Sequence, residues 1–262
     1  MMEHSIRTGN RLLAGLPLGD FQLLAPHLRK VALEPEAVLT RSGDLIEHIN
    51  FPLSGMIAFI MEMPNGQTVS TAVIGNDGAT GLIAALGDFR SPTTAVVRVA
   101  GTALQIAPAR FQAALSRSGA LRYSVQTFTQ ALLAQFQNVA ACNALHSVEA
   151  RTARWLLQIR DRSEGDFLPL TQEALSELLG VRRTTVTHIV QKLRSTGAIR
   201  SNRRRMIEVD RPLLEASACE CYEAMRRGID RIMTPDATKP RIQAATANQQ
   251  FRRANGERPR SH

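Results

Sequence analysis

The chain has few cysteines and no long uninterrupted apolar run. Its 262 residues include three cysteines, Cys142, Cys219 and Cys221. Three are too few for the disulfide framework that supports small secreted domains. No run of about 18 or more apolar residues occurs, so we expect no transmembrane helix. The first residues (MMEHSIRTGNR) contain no apolar segment of a secretory signal. These absences predict a cytoplasmic protein.

The first half of the chain also lacks common metal-binding patterns. No cysteine precedes Cys142, which excludes a four-cysteine iron–sulfur cluster within one chain. His27 and His48 are far apart and show no spacing that indicates haem. Cys219 and Cys221 supply two ligands, fewer than a closed zinc site requires. We interpret these two as partly buried helix cysteines, with a redox thiol pair as the alternative, and we predict no metal and no cofactor.

Positive charge is concentrated in the second half of the chain. The formal net charge is +9, and residues 1–146 contain 10 basic and 9 acidic residues, whereas residues 147–262 contain 22 and 14. This asymmetry is expected of a nucleic-acid-binding region. Residues 233–262 are polar, basic and poor in large apolar groups, so we predict a disordered basic tail there.

Residues 171–194 (TQEALSELLGVRRTTVTHIVQKLR) have the pattern of two short helices joined by a glycine turn. Thr171 is suited to cap the first helix, because its hydroxyl can accept from the free amides of the first turn. Gly180 follows the last apolar residue of that helix, where a left-handed C-cap favours glycine. The pattern predicts a helix-turn-helix. The apolar positions are Ala174, Leu175, Leu178 and Leu179, followed by Val186, Ile189, Val190 and Leu193.

The outer face of the second helix is polar and basic and contains no acidic residue. Such a face suits the major groove, where phosphates attract cations and base edges accept hydrogen bonds. Strand, basic turn and strand follow over residues 196–209, which predicts a β-hairpin wing. From Arg182 to Arg205 we count eight Lys or Arg and no Asp or Glu. A helical hairpin with a solvated basic face is the alternative. The outer face comprises Arg182, Arg183, Thr184, Thr185, Thr187, His188, Gln191 and Lys192.

Short runs of branched residues alternate with turn residues from Val31 to about Pro108. Asn65-Gly66 between two such runs is a strong hairpin signal. About eight short strands at this spacing predict a β-barrel or jelly roll. Short helices broken by Pro17 and Pro26 should precede it. The predicted fold class is α+β, with an N-terminal β-barrel domain over residues 12–116.

No Gly or Pro interrupts residues 120–164, which predicts long helices. Apolar residues at steps of three and four form a coiled-coil-like stripe. We interpret it as a homodimer seam on a helix over residues 118–145; the alternative is an amphipathic helix packed on its own barrel. The pattern breaks at 145–147, which predicts a hinge before a DNA-binding domain over residues 147–232. The seam residues are Leu121, Val125, Phe128, Leu132, Phe136 and Val139.

This order of parts resembles the Crp–Fnr family of bacterial transcription regulators over about residues 12–232. The most specific part is Leu170 to Val209, where Gly180-Val-Arg-Arg-Thr-Thr-Val186 matches the family's turn and the start of its recognition helix. The stretch from Ala141 to Trp155 also resembles the family's junction between dimer helix and DNA-binding domain. The resemblance implies a homodimer without enzymatic activity that binds a two-fold symmetric site in double-stranded DNA. It also implies a sensor domain with an unknown effector, contact with RNA polymerase, and no membrane association.

The resemblance assigns roles to individual residues of the second helix. Arg183 matches the family's base-reading arginine, which is suited to bidentate contact with guanine. Thr184 and His188 stand where many members have a glutamate and a second base-reading arginine, so we expect base contacts from both but a half-site unlike the usual family sequence. We expect phosphate contacts from Thr171, Arg182, Thr185, Arg203, Arg204 and Arg205.

The sensor departs further from the family's pattern. In nucleotide-binding members a glutamate after a glycine binds the ribose hydroxyl, and an Arg-Ser pair about ten residues later binds the cyclic phosphate. Here Leu82 follows Gly81, and Thr93-Thr94 stands at the pair. Loss of a charge-assisted clamp removes a large part of phosphate affinity. We predict a degenerate effector pocket at these four residues and no tight binding of cyclic AMP. Arg90, three residues before Thr93, could reach an anion, but we interpret it as a solvated loop arginine.

Two other functions fit parts of these patterns. A cupin-like metalloenzyme shares the barrel texture, but such enzymes usually carry paired histidines plus a carboxylate. A basic protein that binds nucleic acid without sequence preference shares the charge. Substitution of Arg183 distinguishes the latter from a specific regulator, because only the specific regulator loses discrimination.

Overall fold

The structure is a computed structural model that describes residues 9–87, 89–163, 165–201 and 206–233. The predicted tail, apart from Met233, and the predicted phosphate contacts Arg203, Arg204 and Arg205 lie outside these ranges. In the part of the chain that is described, no helix is long and apolar enough to span a membrane.

Two short helices, α1 (Arg11–Ala14) and α2 (Leu18–Phe21), precede the sheets, as the sequence predicts. Asn10 explains why the first of them forms. Its side-chain oxygen accepts from the backbone amides of Leu12 and Leu13, while its amide nitrogen donates to the carbonyls of Pro52 and Gly78 at 2.9 Å each. The buried Asn10 therefore caps α1 and attaches it to the sheets at the same time.

Seven strands form two antiparallel sheets, in place of the eight predicted. The orders are β1-β7-β3 and β2-β6-β4-β5. The predicted hairpin at Asn65-Gly66 is confirmed, since Gly66 has φ +78° and joins β4 to β5. The strands are β1 (Arg29–Leu33), β2 (Val38–Thr40), β3 (Ile49–Pro52), β4 (Met56–Glu62), β5 (Thr68–Ile74), β6 (Thr94–Val99) and β7 (Gly101–Ile106).

Helices α3 (Pro108–Arg117) and α4 (Gly119–Leu145) follow the sheets. The apolar stripe of α4, which we predicted to face a second copy, is mostly buried within the single chain. Leu121, Val125 and Phe128 join a core with residues of β3, β7 and α3. Val139 packs near the N-terminal end of the last described helix, beside Cys221 and Met225, Leu132 packs partly on the same core as Phe128, and Phe136 is half-buried.

The predicted seam is therefore wrong for these buried residues, and the alternative of a helix packed on its own barrel describes them. A Cβ at Gly78 would lie 2.4 Å from the Phe128 ring, which shows how closely helix and barrel approach. Without α4, one apolar side of the barrel would be exposed to solvent. The apolar stripe of α4, in the same chain, covers it. Contact within one chain avoids the entropy cost of association.

The remainder of the described chain contains the predicted winged helix-turn-helix. The predicted break at 145–147 is present, because His146 is extended and Ser147 caps the next helix by accepting from the amide of Ala150 at 3.3 Å. Residues 211–233 form two helices, separated by extended backbone at Ala218. The elements are α5 (Val148–Arg160), β8 (Phe167–Leu168), α6 (Gln172–Leu179), α7 (Arg183–Ser195), β9 (Ile199–Ser201), β10 (Ile207–Val209), α8 (Arg211–Ser217) and α9 (Cys221–Met233).

The barrel and the helix-turn-helix segment share one hydrophobic core. Met56 and Ile60 of β4 belong to the same buried cluster as Trp155 of α5 and Leu175 of α6. Ion pairs join the two regions as well: Arg162 contacts Asp77 at 2.5 Å, and Arg98 of β6 pairs with Glu177 of α6. The domain limits at 116, 145–147 and 232 remain predictions.

Candidate DNA-binding surface and sensor pocket

The turn between α6 and α7 forms as its sequence predicts. The Thr171 hydroxyl accepts from the amide of Ala174 at 3.1 Å and caps α6. Gly180 is left-handed, with φ +65° and ψ +38°. A Cβ at Gly180 would also lie 3.1 Å from Cβ of Val69 in β5. Glycine therefore serves both the turn and the close approach of the turn to the barrel.

Helix α7 is divided into a buried and an exposed face. Val186, Ile189, Val190 and Leu193 are buried in the shared core, as the helical period predicts. The opposite face is open to solvent. Its exposed members are Arg182, Arg183, Thr184, Thr185, His188, Gln191 and Lys192, while Thr187 is half-buried.

Few partners within the chain compete for these side chains. Arg183 makes an ion pair with Glu173 at 2.9 Å, but both side chains are more than half exposed, so the pair contributes little. The Thr187 hydroxyl donates to Oε1 of Gln172 at 3.0 Å. Within the described ranges, Thr184, Thr185 and His188 make no side-chain hydrogen bond. This face is therefore available to an external ligand.

The first turn of α7 adds backbone donors to this face. Arg182 is the N-cap residue, and its side chain makes no capping hydrogen bond. The amides at the start of the helix are thus left for another acceptor, and the helix dipole favours an anion there. Together with Arg182 and Arg183, these amides suit a phosphate.

The wing behind α7 is present as a strand pair. Residues of β9 and β10 pair antiparallel, with Ile199 opposite Val209 and Ser201 opposite Ile207. A third strand, β8, extends this sheet through Leu168. The sequence did not predict β8, because two residues are too short to show strand alternation.

In the sensor, the residues of the predicted effector pocket are engaged by the protein itself. Gly81 has φ +79°, and a Cβ there would lie 2.6 Å from the carbonyl oxygen of His48. Leu82 is 6% exposed and belongs to the core beneath α4. The Thr94 hydroxyl accepts from the amide of Ser42 at 3.1 Å, and the Thr93 carbonyl accepts from the Ser91 hydroxyl at 2.6 Å.

The arginines near this pocket bind other groups of the chain and are not directed into the pocket. Arg90 donates to the carbonyl of Gly43 at 2.8 Å. Arg98 is buried on β6, but it lies on the same side as Val96 and pairs with Glu177, whereas Ala95 and Val97 face the space between the sheets. Alternation along the strand therefore directs the Arg98 guanidinium away from the interior of the barrel.

A polar cavity of about 310 Å³ lies at a different place, between the start of the chain, the turn after β5 and helices α5, α8 and α9. Its arginines are paired with carboxylates. Arg11 contacts Asp230 at 3.0 Å, and Arg211 contacts Asp161 at 3.0 Å. An anionic ligand would have to displace these carboxylates. No local sequence pattern predicts this cavity, because its lining residues come from distant parts of the chain.

The structure also brings together four side chains that the sequence analysis treated separately. Cys142, His146, Cys219 and Cys221 place one potential ligand atom each within 4.8 Å of all the others. Counting Cys219 and Cys221 as two ligands alone is therefore wrong, because α4 supplies two more. The spacing of Cys142 and His146, four residues apart at the end of α4, was the available signal.

The fold and the exposed basic helix define a DNA-binding protein with a sensor-type β-domain. Residues 30–118 match the family model of the cyclic nucleotide-binding domain, and residues 150–217 match that of the Crp-like helix-turn-helix domain. These two matches cover more than half of the chain, which belongs to the Crp/Fnr family of transcription regulators.

Solved structures with the same fold are distant in sequence. FixK2 from Bradyrhizobium japonicum is 13% identical with a TM-score of 0.63, over 73% of this chain and 98% of that one. A putative regulator of the Crp/Fnr family from Eubacterium rectale is 14% identical with a TM-score of 0.64, over 80% and 98%. The c-di-GMP-responsive regulator CLP from Xanthomonas campestris is 17% identical with a TM-score of 0.60, over 74% and 100%. No curated protein is similar enough in sequence to count as a match.

Proposed function

We propose that this chain is a homodimeric, sequence-specific transcription regulator that binds a two-fold symmetric site in double-stranded DNA. The observation that carries the proposal is the exposed face of α7, where Arg182 to Thr185 and His188 are open to solvent above a buried apolar face. Arg183 reads a guanine, Thr184 and His188 contact neighbouring bases, and Thr171, Arg182 and Thr185 contact phosphates. Arg203, Arg204 and Arg205 of the wing add to the phosphate contacts.

The outward face of α4 supports a homodimer with a different seam from the predicted one. Residues at alternating steps of three and four along this face are all exposed. Helix α4 contains 27 residues and a single charged one, Arg122. A long exposed face almost without charge, with heptad spacing, is typical of a helix that pairs with a second copy. The revised seam comprises Tyr123, Gln126, Gln130, Leu133, Gln137, Ala140 and Ala144.

The proposed sensor does not clamp a cyclic phosphate. Thr93 stands where the phosphate-binding arginine would be, and Leu82 is buried in the core where the ribose-binding glutamate would be. The interior of the sheets is lined by residues such as Ile57 and Val97. The effector has a different chemistry or is not required.

The regulator acts in the cytoplasm, where bacterial DNA lies, contacts RNA polymerase, and has no catalytic role.

Selection of bound fragments from random double-stranded DNA, with purified protein and no added ligand, tests the proposal. We expect a two-fold symmetric motif with half-sites about 34–36 Å apart, one helical turn. Arg183→Ala should relax the motif at one base pair per half-site, whereas Arg110→Ala, an exposed arginine of α3, should leave it unchanged.

Two results would contradict this function. Weak, strongly salt-dependent binding with no motif would favour a non-specific nucleic-acid-binding protein. A motif that is identical for the wild type and for Arg183→Ala would show that α7 does not read the bases.

A further inference from the structure

Three cysteines and one histidine converge where helix α4 ends and helix α9 begins. Cys142 lies in the last turns of α4, and His146 is its C-cap residue. Cys219 lies just before α9, and Cys221 is its first residue. The Cys142 and Cys219 sulfurs are 3.5 Å apart, and the Cys221 sulfur is 3.6 Å from Nδ1 of His146.

These distances are close to the edges of a tetrahedral zinc site. With Zn–S of about 2.3 Å and Zn–N of about 2.0–2.1 Å, neighbouring ligand atoms stand about 3.8 Å apart for two sulfurs and about 3.5 Å for sulfur and nitrogen. All four ligand atoms already lie within 4.8 Å of one another. An iron–sulfur cluster would need ligands farther apart, because each thiolate binds a different iron atom. The set therefore fits a single ion.

The second nitrogen of His146 has the partner that a metal-bound histidine requires. Nε2 lies 3.0 Å from Oε1 of Glu220, which stands between the two cysteines of the loop. With Nδ1 toward the sulfurs, Nε2–H donates to this carboxylate. A carboxylate on the far nitrogen fixes the tautomer and the ring orientation of a metal ligand.

The charges around the cluster also favour an anionic occupant. Arg154 is fully buried, and two of its nitrogens, Nε and Nη2, have no hydrogen-bond partner within the described ranges. Its positive charge interacts electrostatically with the Cys142 sulfur. Arg151 is also buried and interacts electrostatically with Cys142 and Cys219. In the described part of the chain, both arginines donate to neutral side chains, Arg151 to Oδ1 of Asn143 and Arg154 to Oε1 of Gln158, and neither forms a salt bridge.

Three thiolates and one divalent ion carry a net charge of −1, which compensates buried arginines. Three neutral thiols would leave these cations uncompensated, and a buried unpaired charge is costly. We propose that Cys142, His146, Cys219 and Cys221 bind one Zn²⁺ ion in a closed tetrahedral site. Four protein ligands leave no open position for a substrate, so the site is structural.

The site joins two parts of the chain that are far apart in sequence. His146 lies at the hinge between α4 and α5, and Cys221 begins the last described helix. The ion thus fastens α9 to the end of α4 beside the hinge. Nothing in the proposed DNA-binding function requires this ion, so the two proposals can fail separately.

The full chain, purified through a cleaved tag without added metal, tests the site. Elemental analysis should find about one zinc per chain. After removal of zinc, titration with Co²⁺ should produce the intense visible bands and thiolate charge-transfer bands of a tetrahedral site. His146→Ala and Cys221→Ser should each bind Co²⁺ more than about 100-fold more weakly, because even outer partners of a metal site typically contribute about 10- to 100-fold.

Two control variants keep the test decisive. His48→Ala removes an exposed histidine outside the cluster and should bind Co²⁺ as the wild type does. His146→Cys keeps a ligand at the same position and should retain a tetrahedral cobalt spectrum with more thiolate character. If His146→Ala or Cys221→Ser does not fold, the wild-type protein and His146→Cys decide the outcome.

Any of three results would overturn the proposal. The first is a wild-type protein without zinc, with three titratable thiols and no cobalt bands. The second is metal that stays bound at full affinity in both His146→Ala and Cys221→Ser. The third is a Cys142–Cys219 disulfide in protein that was isolated without oxygen.

Discussion

The helix-turn-helix and the sensor stretch around Gly81 differ in where their polar groups find partners. On α7, Thr184, Thr185 and His188 are exposed and make no side-chain hydrogen bond within the described residues. In the sensor, Thr94 is bonded to the backbone of the chain, and Leu82 is buried in the core. Exposed polar groups without partners in the chain can exchange bound water for a ligand. Polar groups that already hydrogen-bond within the chain cannot do so without losing those bonds.

The largest expected effect comes from a substitution in the core beneath α7, which tests the division of this helix into a buried and an exposed face. Leu193 is fully buried beneath the exposed face. Leu193→Ala should lower the free energy of unfolding by about 2–5 kcal/mol, because it leaves a cavity. Lys192→Ala, on the exposed face, should change it by less than about 0.5 kcal/mol. Urea denaturation measures both, and equal midpoints for the two variants would contradict the division of the helix into two faces.

The second prediction concerns the two faces of α4. Leu133 is 56% exposed on the revised seam, and Leu133→Glu should convert a dimer into a folded monomer, because a charge would be buried between two copies. Phe128, only 6% exposed, packs within the chain, so Phe128→Glu should instead destabilise the fold. Light scattering gives the mass and circular dichroism the folding. A monomeric wild-type protein, or a Leu133→Glu variant that remains a dimer, would contradict the proposed seam.

A smaller change in DNA binding should distinguish the base-contacting residues of α7 from its phosphate-contacting residues. Arg183→Ala should reduce discrimination at its base pair by about 1–3 kcal/mol. Arg182→Ala should weaken binding to all sequences nearly equally and reduce the salt dependence by about one phosphate contact per subunit. Competition binding at several salt concentrations separates the two effects. Identical profiles for both variants would mean that Arg183 contacts phosphate only.

The smallest expected effect is that of cyclic AMP on the sensor. A ligand at 100 times its dissociation constant stabilises a protein by about 2.7 kcal/mol. Because no cation is directed into the interior of the described sheets, we expect millimolar cyclic AMP to leave the unfolding temperature unchanged. Calorimetry that yields a micromolar dissociation constant would disprove the loss of the clamp.

Local signals made the helix-turn-helix predictable from the sequence. Thr171, Gly180 and the apolar series of each helix act within a few residues of one another, and the structure reproduces the cap, the turn and both buried faces. The hairpin at Asn65-Gly66 and the hinge at Ser147 were predictable for the same reason. Capping and turn chemistry depend on the nearest peptide groups, which the sequence specifies directly.

Only the tertiary structure decided which buried residues contact one another. The apolar stripe on α4 showed that Phe128 would be buried, but only the fold showed that it packs within its own chain. Likewise, Cys142 and His146 came together with Cys219 and Cys221 only through the break at Ala218 between α8 and α9.

The sequence by itself determined the order of the domains, the buried faces of α6 and α7 and the basic character of the recognition surface, since each of these follows from local periodicity and charge. The tertiary structure alone decided which buried faces meet and which ligand atoms converge. The physical reason is that contacts between residues about 75 positions apart depend on the packing of the whole chain, and no local pattern records that packing.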